Sequence, residues 1–144
     1  MGEGLIQVVS VEETWARLKG DPGSVLIDVR TIAEWAYVGL PDLSSIGKRP
    51  VLVEWQEFPG DRLNAAFVER LGEALDPMGA DRSSELFFIC RSGSRSHKAA
   101  QAMTAAGYMR CRNVADGFEG PLDPYRHRGQ LAGWKAKGLP WVQG

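Results

Sequence analysis

Residues Glu85 to Ser96 read ELFFICRSGSRS, and the rest of the chain is read outward from them. The apolar run Leu86, Phe87, Phe88, Ile89 has the length and composition of a buried strand. It delivers Cys90 to its end, and a short loop follows: Arg91, Ser92, Gly93, Ser94, Arg95. The chain then runs into Ser96-His97-Lys98-Ala99-Ala100-Gln101-Ala102-Met103, which predicts a helix. The first N–H groups of a helix have no partner inside it and point, with the positive end of the helix dipole, at the preceding loop. A thiolate placed there is stabilised, which marks Cys90 as a candidate nucleophile. Arg91 and Arg95 add positive charge suited to an oxyanion. Gly93 permits the bend that lets successive N–H groups converge. An inert buried thiol would leave the serines, the glycine and both arginines without a shared explanation.

With 144 residues the chain is long enough for one domain with a real core, so residues 1–144 are expected to form a single domain. Lys plus Arg is 17 against 18 for Asp plus Glu, which gives no reason to expect nucleic acid or an acidic membrane surface as a partner. No apolar run approaches the ~20 residues that span a bilayer. The start, MGEGLIQVVS, lacks the basic residues and long apolar stretch of a signal peptide, so a cytoplasmic location is expected. Two cysteines do not suggest a disulfide framework; Cys111, within Met109 to Val114, reads as a small core residue in a short strand. Two histidines and two cysteines without metal-ligand spacing argue against zinc, and neither metal nor cofactor is expected.

Strand and helix signals alternate along the chain. Leu5 to Val9 is a short apolar run, and Ser10 sits three residues before Glu13 at capping-box spacing. Val11 to Leu18 then predicts a helix with Val11, Trp15 and Leu18 on one face. Ser24 to Val29 predicts a buried strand that carries Asp28 near its end. Thr31, with Glu34 three residues on, caps another short helix. Leu40 to Pro50 reads as a loop, Val51 to Trp55 as a third strand and Phe58 to Asp61 as a further loop. Asn64 to Leu75 has the strongest helical periodicity, and Met78 to Ser84 reads as loop. Such alternation predicts an α/β fold of three layers, a mainly parallel central sheet with helices on both faces. Sites in such sheets form at the carboxyl ends of strands, where Asp28 and Cys90 are expected to share a crevice.

Three segments together resemble the rhodanese-like domain family. Leu26-Ile27-Asp28-Val29-Arg30-Thr31 with Glu34-Trp35 is similar to its early strand-and-helix motif. Cys90 to Ser96 is similar to its active-site loop, and Gly117-Phe118, Gly133-Trp134 and Gly138-Leu139-Pro140 to its closing segment. The chain departs from the pattern at Val38 to Leu43, where the family's histidine is missing, and by an insertion, Glu119 to Ala132, that reads first as a solvated loop and second as a segment over the pocket that reads the substrate.

The resemblance implies a three-layer rhodanese-like fold and sulfur transfer through a Cys90 persulfide, with thiosulfate or a similar small molecule as donor. A thiol, cyanide or a protein would be the sulfur acceptor. It makes Arg91, Ser92, Gly93, Ser94, Arg95 and Ser96 the expected substrate-binding residues, with Arg91 foremost for the donor. Arg95 could bind the donor or tie the loop to an acidic group. Asp28 and Arg30 are expected to support the loop by charge-assisted hydrogen bonds, and Glu34 to act as a cap. Two rivals stand beside this reading. One is a sulfur carrier or binding module without turnover. The other is a phosphatase or arsenate reductase of the related fold, whose anion loop is one residue longer than the Cys90–Arg95 loop.

Overall fold

Alternation of side chains along the central strands sorts the core into two halves, and it explains where the site lies. The computed structural model describes residues 6–57, 60 and 62–143. Strands β1 (Gln7–Val9), β2 (Val25–Asp28), β4 (Val51–Leu52), β7 (Glu85–Ile89) and β8 (Arg110–Val114) form a parallel sheet in the order β1-β8-β7-β2-β4. Every residue of β7 is buried, as its continuous apolar run requires for a central strand covered on both faces.

Val25, Ile27, Val29, Leu86, Phe88 and Cys90 face one layer, built from Phe67, Leu71 and Leu75 of α3 (Phe67–Leu75) and Ala99, Ala100 and Met103 of α4 (Ser94–Ala105). Leu26, Phe87, Ile89 and Val114 face the other, built from Val11 and Leu18 of α1 (Val11–Gly20) together with Leu43, Phe118 and Trp134. The three-layer α/β fold expected from the sequence is the one observed. Burying a leucine or phenylalanine side chain contributes roughly 1.5–3 kcal/mol, so the twin cores are the main source of stability.

The short α2 (Ile32–Tyr37) depends on its ends. Thr31 Oγ1 accepts from the Glu34 N–H, and the Glu34 carboxylate accepts from the Thr31 N–H, a complete capping box. At α1 the Ser10 hydroxyl accepts from the Glu13 N–H at 3.0 Å, half of the expected box.

The structure differs from the sequence reading in its small elements. The Leu40 to Pro50 loop contains β3 (Leu40–Pro41), which pairs antiparallel with β9 (Trp141–Val142). The strand expected over Val51 to Trp55 is regular only at Val51–Leu52, because Val53 and Trp55 reach back singly to the carbonyls of Asp28 and Val29. A hairpin of β5 (Gln56–Glu57) and β6 (Arg62–Leu63) follows it. Most of the Phe58 to Asp61 loop, and Leu5 of the first apolar run, lie outside the described residues. Helix α3 starts at Phe67, three residues later than the periodicity from Asn64 suggests, since Asn64 and Ala66 form a turn.

Candidate active site

Cys90 leaves β7 on the α4 side of the sheet and is almost fully buried. The chain turns at Gly93, whose φ of 115° is the left-handed region that glycine tolerates, and enters α4 at Ser94. No side chain caps this helix start. The N–H groups of Ser94, Arg95 and Ser96 thus keep their donors for a ligand. The Gly93 N–H already donates to Cys90 Sγ at 3.1 Å. The Ser96 hydroxyl lies 3.2 Å from the same sulfur and 2.6 Å from Asn113 Oδ1, while Asn113 Nδ2 donates to the Gly93 carbonyl at 3.1 Å.

Above the sulfur is a cavity of ≈ 200 Å³ lined by Gln56, Cys90, Arg91, Ser92, Ser94 and Arg95. Ser92 and Ser94 stand exposed at its mouth, Gly93 turns its amide to the sulfur, and Ser96 is buried beneath it. The two arginines are used differently. Arg95 donates to both oxygens of Glu34, at 2.7 and 2.9 Å, in a fork-to-fork pair. Burial alone would push the Glu34 carboxyl up, but the Arg95 guanidinium and the Thr31 donors outweigh it and hold it at about 2. Arg91 is exposed, and among the described residues its guanidinium has no ion-pair or hydrogen-bond partner. Of the two cations, Arg91 is the one free to meet an anion.

Glu34 therefore does more than cap its helix: it anchors the loop, a role expected of Asp28 and Arg30. That expectation is corrected. Asp28 shares a face with Leu26, the face away from Cys90, because successive strand side chains alternate. Its carboxylate takes Arg30 Nη2 at 2.6 Å and Nε at 2.9 and 3.1 Å. Arg30 also donates to the Gly39 carbonyl at 2.8 Å and lies 4.3 Å over the Phe118 ring. Both side chains are fully buried. Among the described residues the pair makes no hydrogen bond to Cys90–Ser96, so it supports α2 and the closing segment rather than the loop itself.

The closing segment clamps the loop from behind. Phe118 N–H donates to the Cys90 carbonyl at 2.8 Å, and the Glu119 and Gly120 N–H groups donate to the Arg91 carbonyl at 3.0 and 3.1 Å. Gly117, with φ of 60°, packs so closely that a Cβ would collide with the Cys90 and Arg91 carbonyls. The Glu119 to Ala132 insertion is mostly exposed, with Arg126 and His127 in solvent. Cys111 pairs with Leu86, four residues before Cys90, so the two sulfurs are separated by about 13 Å of strand. A disulfide needs Cα atoms within about 7 Å, and Cys111 is a core residue as the sequence suggested. Burial pushes its thiol up, away from reactivity. Among the described residues no His, Cys, Asp and Glu are grouped so as to hold a metal, and no helix is long and apolar enough to cross a membrane.

Asn113 and Gln56 were not singled out in the sequence. Asn113 carried a signal in hindsight: it stands two residues after the buried Cys111, on the same face of its strand, where an amide must find partners.

A parallel sheet with a cysteine loop at its carboxyl edge and helices on both faces defines the rhodanese-like class, and solved rhodanese-like domains share this fold. The chain belongs to the family described as the STR4 middle domain, whose model matches residues 6–144. The crystal structure of Rv0390 from M. tuberculosis is 42% identical, covers 98% of this chain and 100% of its own, and superposes with a TM-score of 0.87. The uncharacterized protein RC0915 of Rickettsia conorii is 35% identical over 94% of this chain and 97% of its own length. Thiosulfate sulfurtransferase 18 of Arabidopsis thaliana is 31% identical over 78% of this chain and 76% of its own.

Proposed function

We propose that the protein is a sulfurtransferase that carries sulfane sulfur on Cys90. The observation that carries this reading is the Cys90 sulfur on the floor of a ≈ 200 Å³ cavity, bonded by the Gly93 N–H beside unused helix N–H groups. The thiolate attacks the outer sulfur of thiosulfate, the sulfur–sulfur bond of the donor breaks, and sulfite leaves with the electron pair. Cys90 then holds a persulfide whose charge sits on the outer sulfur, within reach of the Ser94 to Ser96 N–H groups. An acceptor nucleophile, cyanide or a thiolate of a small molecule or protein, takes that sulfur and restores the Cys90 thiolate. Arg91 draws the dianionic donor to the mouth, while Arg95 keeps the loop in shape through Glu34.

Two features favour this reading over phosphoryl chemistry: only four residues separate Cys90 from Arg95, and the Arg95 guanidinium, although it lines the cavity, is paired with both oxygens of Glu34. The test is intact mass of the reduced protein after incubation with thiosulfate, beside Cys90→Ser. One added sulfur atom, removed by cyanide and absent in the variant, is the expected result. Hydrolysis of aryl phosphates with no sulfur gained from thiosulfate or polysulfide would overturn the proposal. Loading without multiple turnover to any small acceptor would instead identify a sulfur carrier.

A further inference from the structure

Ser96 is fully buried, and its hydroxyl has one proton and two claimants: Cys90 Sγ at 3.2 Å and Asn113 Oδ1 at 2.6 Å. The Asn113 amide cannot turn to relieve the competition. Its Nδ2 donates to the Gly93 carbonyl, and a flip would set two oxygens against each other at 3.1 Å. Asn113 is itself buried, so water does not readily take over either bond.

While Cys90 is a thiol, all three groups are satisfied in one chain. The thiol donates to Ser96 Oγ, and the Ser96 hydroxyl donates to Asn113. When the thiol loses its proton to solvent, the chain breaks. Either Ser96 turns its proton to the thiolate and leaves a buried carbonyl oxygen bare, or it keeps its bond to Asn113 and presents lone pairs to an anion. Both arrangements cost about one hydrogen bond.

We propose that Asn113 is a positioning residue that acts through Ser96: it holds the hydroxyl proton off Cys90 whenever Sγ is uncharged and yields it when Sγ is a thiolate. In turnover this favours the persulfide, because there Sγ is itself uncharged and the negative charge is on the outer sulfur bonded to it. The Ser96 hydroxyl then donates to Asn113 Oδ1 until an acceptor attacks the outer sulfur and Sγ departs as a thiolate, which the Ser96 hydroxyl turns to meet. The role in turnover rests on the sulfur-transfer reading; the effect on the free thiol does not.

The charged groups nearest Cys90 are Arg91 and Arg95 of its own loop and Glu34 of α2 through Arg95, while the Asp28–Arg30 pair at the end of β2 lies on the other face of the sheet. The neutral substitutions Asn113→Leu and Ser96→Ala alter none of these. The test is the pH midpoint of iodoacetamide alkylation of Cys90 in the wild-type protein, Asn113→Leu, Ser96→Ala and the double variant. Freed from Asn113, Ser96 donates to the thiolate, and the midpoint falls by about one pH unit in Asn113→Leu. The same substitution in the Ser96→Ala background shifts it by less than about a third of that.

A fall that persists without Ser96 would show that the variant merely loosens the loop, and it would overturn the proposal, as would no fall or a rise. Should Asn113→Leu fail to fold, the wild-type protein supplies the answer. The 13C shift of the Asn113 side-chain carbonyl then titrates with the alkylation midpoint and stops doing so in Ser96→Ala. An Asn113 carbonyl that does not respond, or responds equally without Ser96, refutes the coupling. These measurements need no sulfur donor, so their failure is distinguishable from failure of persulfide formation.

Discussion

Replacing Glu34 with Gln tests how the cysteine loop is held. The change keeps the shape of the side chain and one acceptor oxygen for Thr31, but it removes the charge from a fork-to-fork pair with Arg95. The side chains are only 18% and 19% exposed, so solvent screens the pair weakly. A carboxyl lowered from 4.5 to about 2 corresponds to about 3 kcal/mol at neutral pH. The residual exposure and the surviving neutral hydrogen bonds reduce the expected loss to about 2 kcal/mol. For a domain of this length that is a fall in Tm of about 6–8 °C. Because the folded value lies below the unfolded one, the stabilisation is complete above about pH 5 and is lost as pH falls toward 2. Thermal unfolding of wild type and variant between pH 7 and pH 2.5 reads both effects. The gap between them is expected to be widest near pH 7 and to close at the acid end. A gap under about 2 °C at pH 7, or one independent of pH, would refute the assignment of Glu34 as the charged anchor of the loop.

Other substitutions separate the remaining parts of the site. Asp28→Asn leaves the fully buried Arg30 guanidinium without its counter-charge and is expected to cost about 3–5 kcal/mol, more than Glu34→Gln, measured by urea unfolding. Arg91→Ala, at an exposed position, is expected to leave Tm unchanged and to raise the thiosulfate KM about tenfold or more, the loss of one charge-assisted contact. Gly117→Ala drives a methyl group into the Cys90 and Arg91 carbonyls at a positive φ, and a loss of about 3 kcal/mol with slower alkylation of Cys90 is expected.

The geometry of the loop was legible because it is local. A continuous apolar strand, a cysteine, a glycine with positive φ and a helix start occupy consecutive residues, and their mutual geometry follows from the elements themselves. The supports were not legible, because they depend on strand register. Asp28 pairs with Ile89 rather than Cys90, and that single residue puts its carboxylate on the opposite face of the sheet. Periodicity within β2 cannot reveal a register set by β7. The tie from Glu34 to Arg95 crosses 61 residues of sequence, and the β3–β9 pair joins Leu40 to Val142. Two-residue strands carry no period from which to read them. The capping box explained Glu34 fully as a local residue, and so concealed its second role.

The division between Arg91 and Arg95 bears on what the cavity can hold. An anion-binding loop with both guanidiniums turned inward would suit a bound dianion throughout the reaction. Here Arg95 is committed to Glu34, and inside the cavity the stabilising groups are backbone N–H donors from Gly93 to Ser96. Those donors converge beside Sγ, where the outer sulfur of the proposed persulfide would carry its negative charge. The free cation, Arg91, is exposed at the cavity, where in the proposed reaction a dianionic donor would arrive and its leaving anion would depart. On that proposal, an uncommitted cation at the exposed edge and backbone donors beside Sγ would give the outgoing anion somewhere to go and hold the transferred sulfur in place.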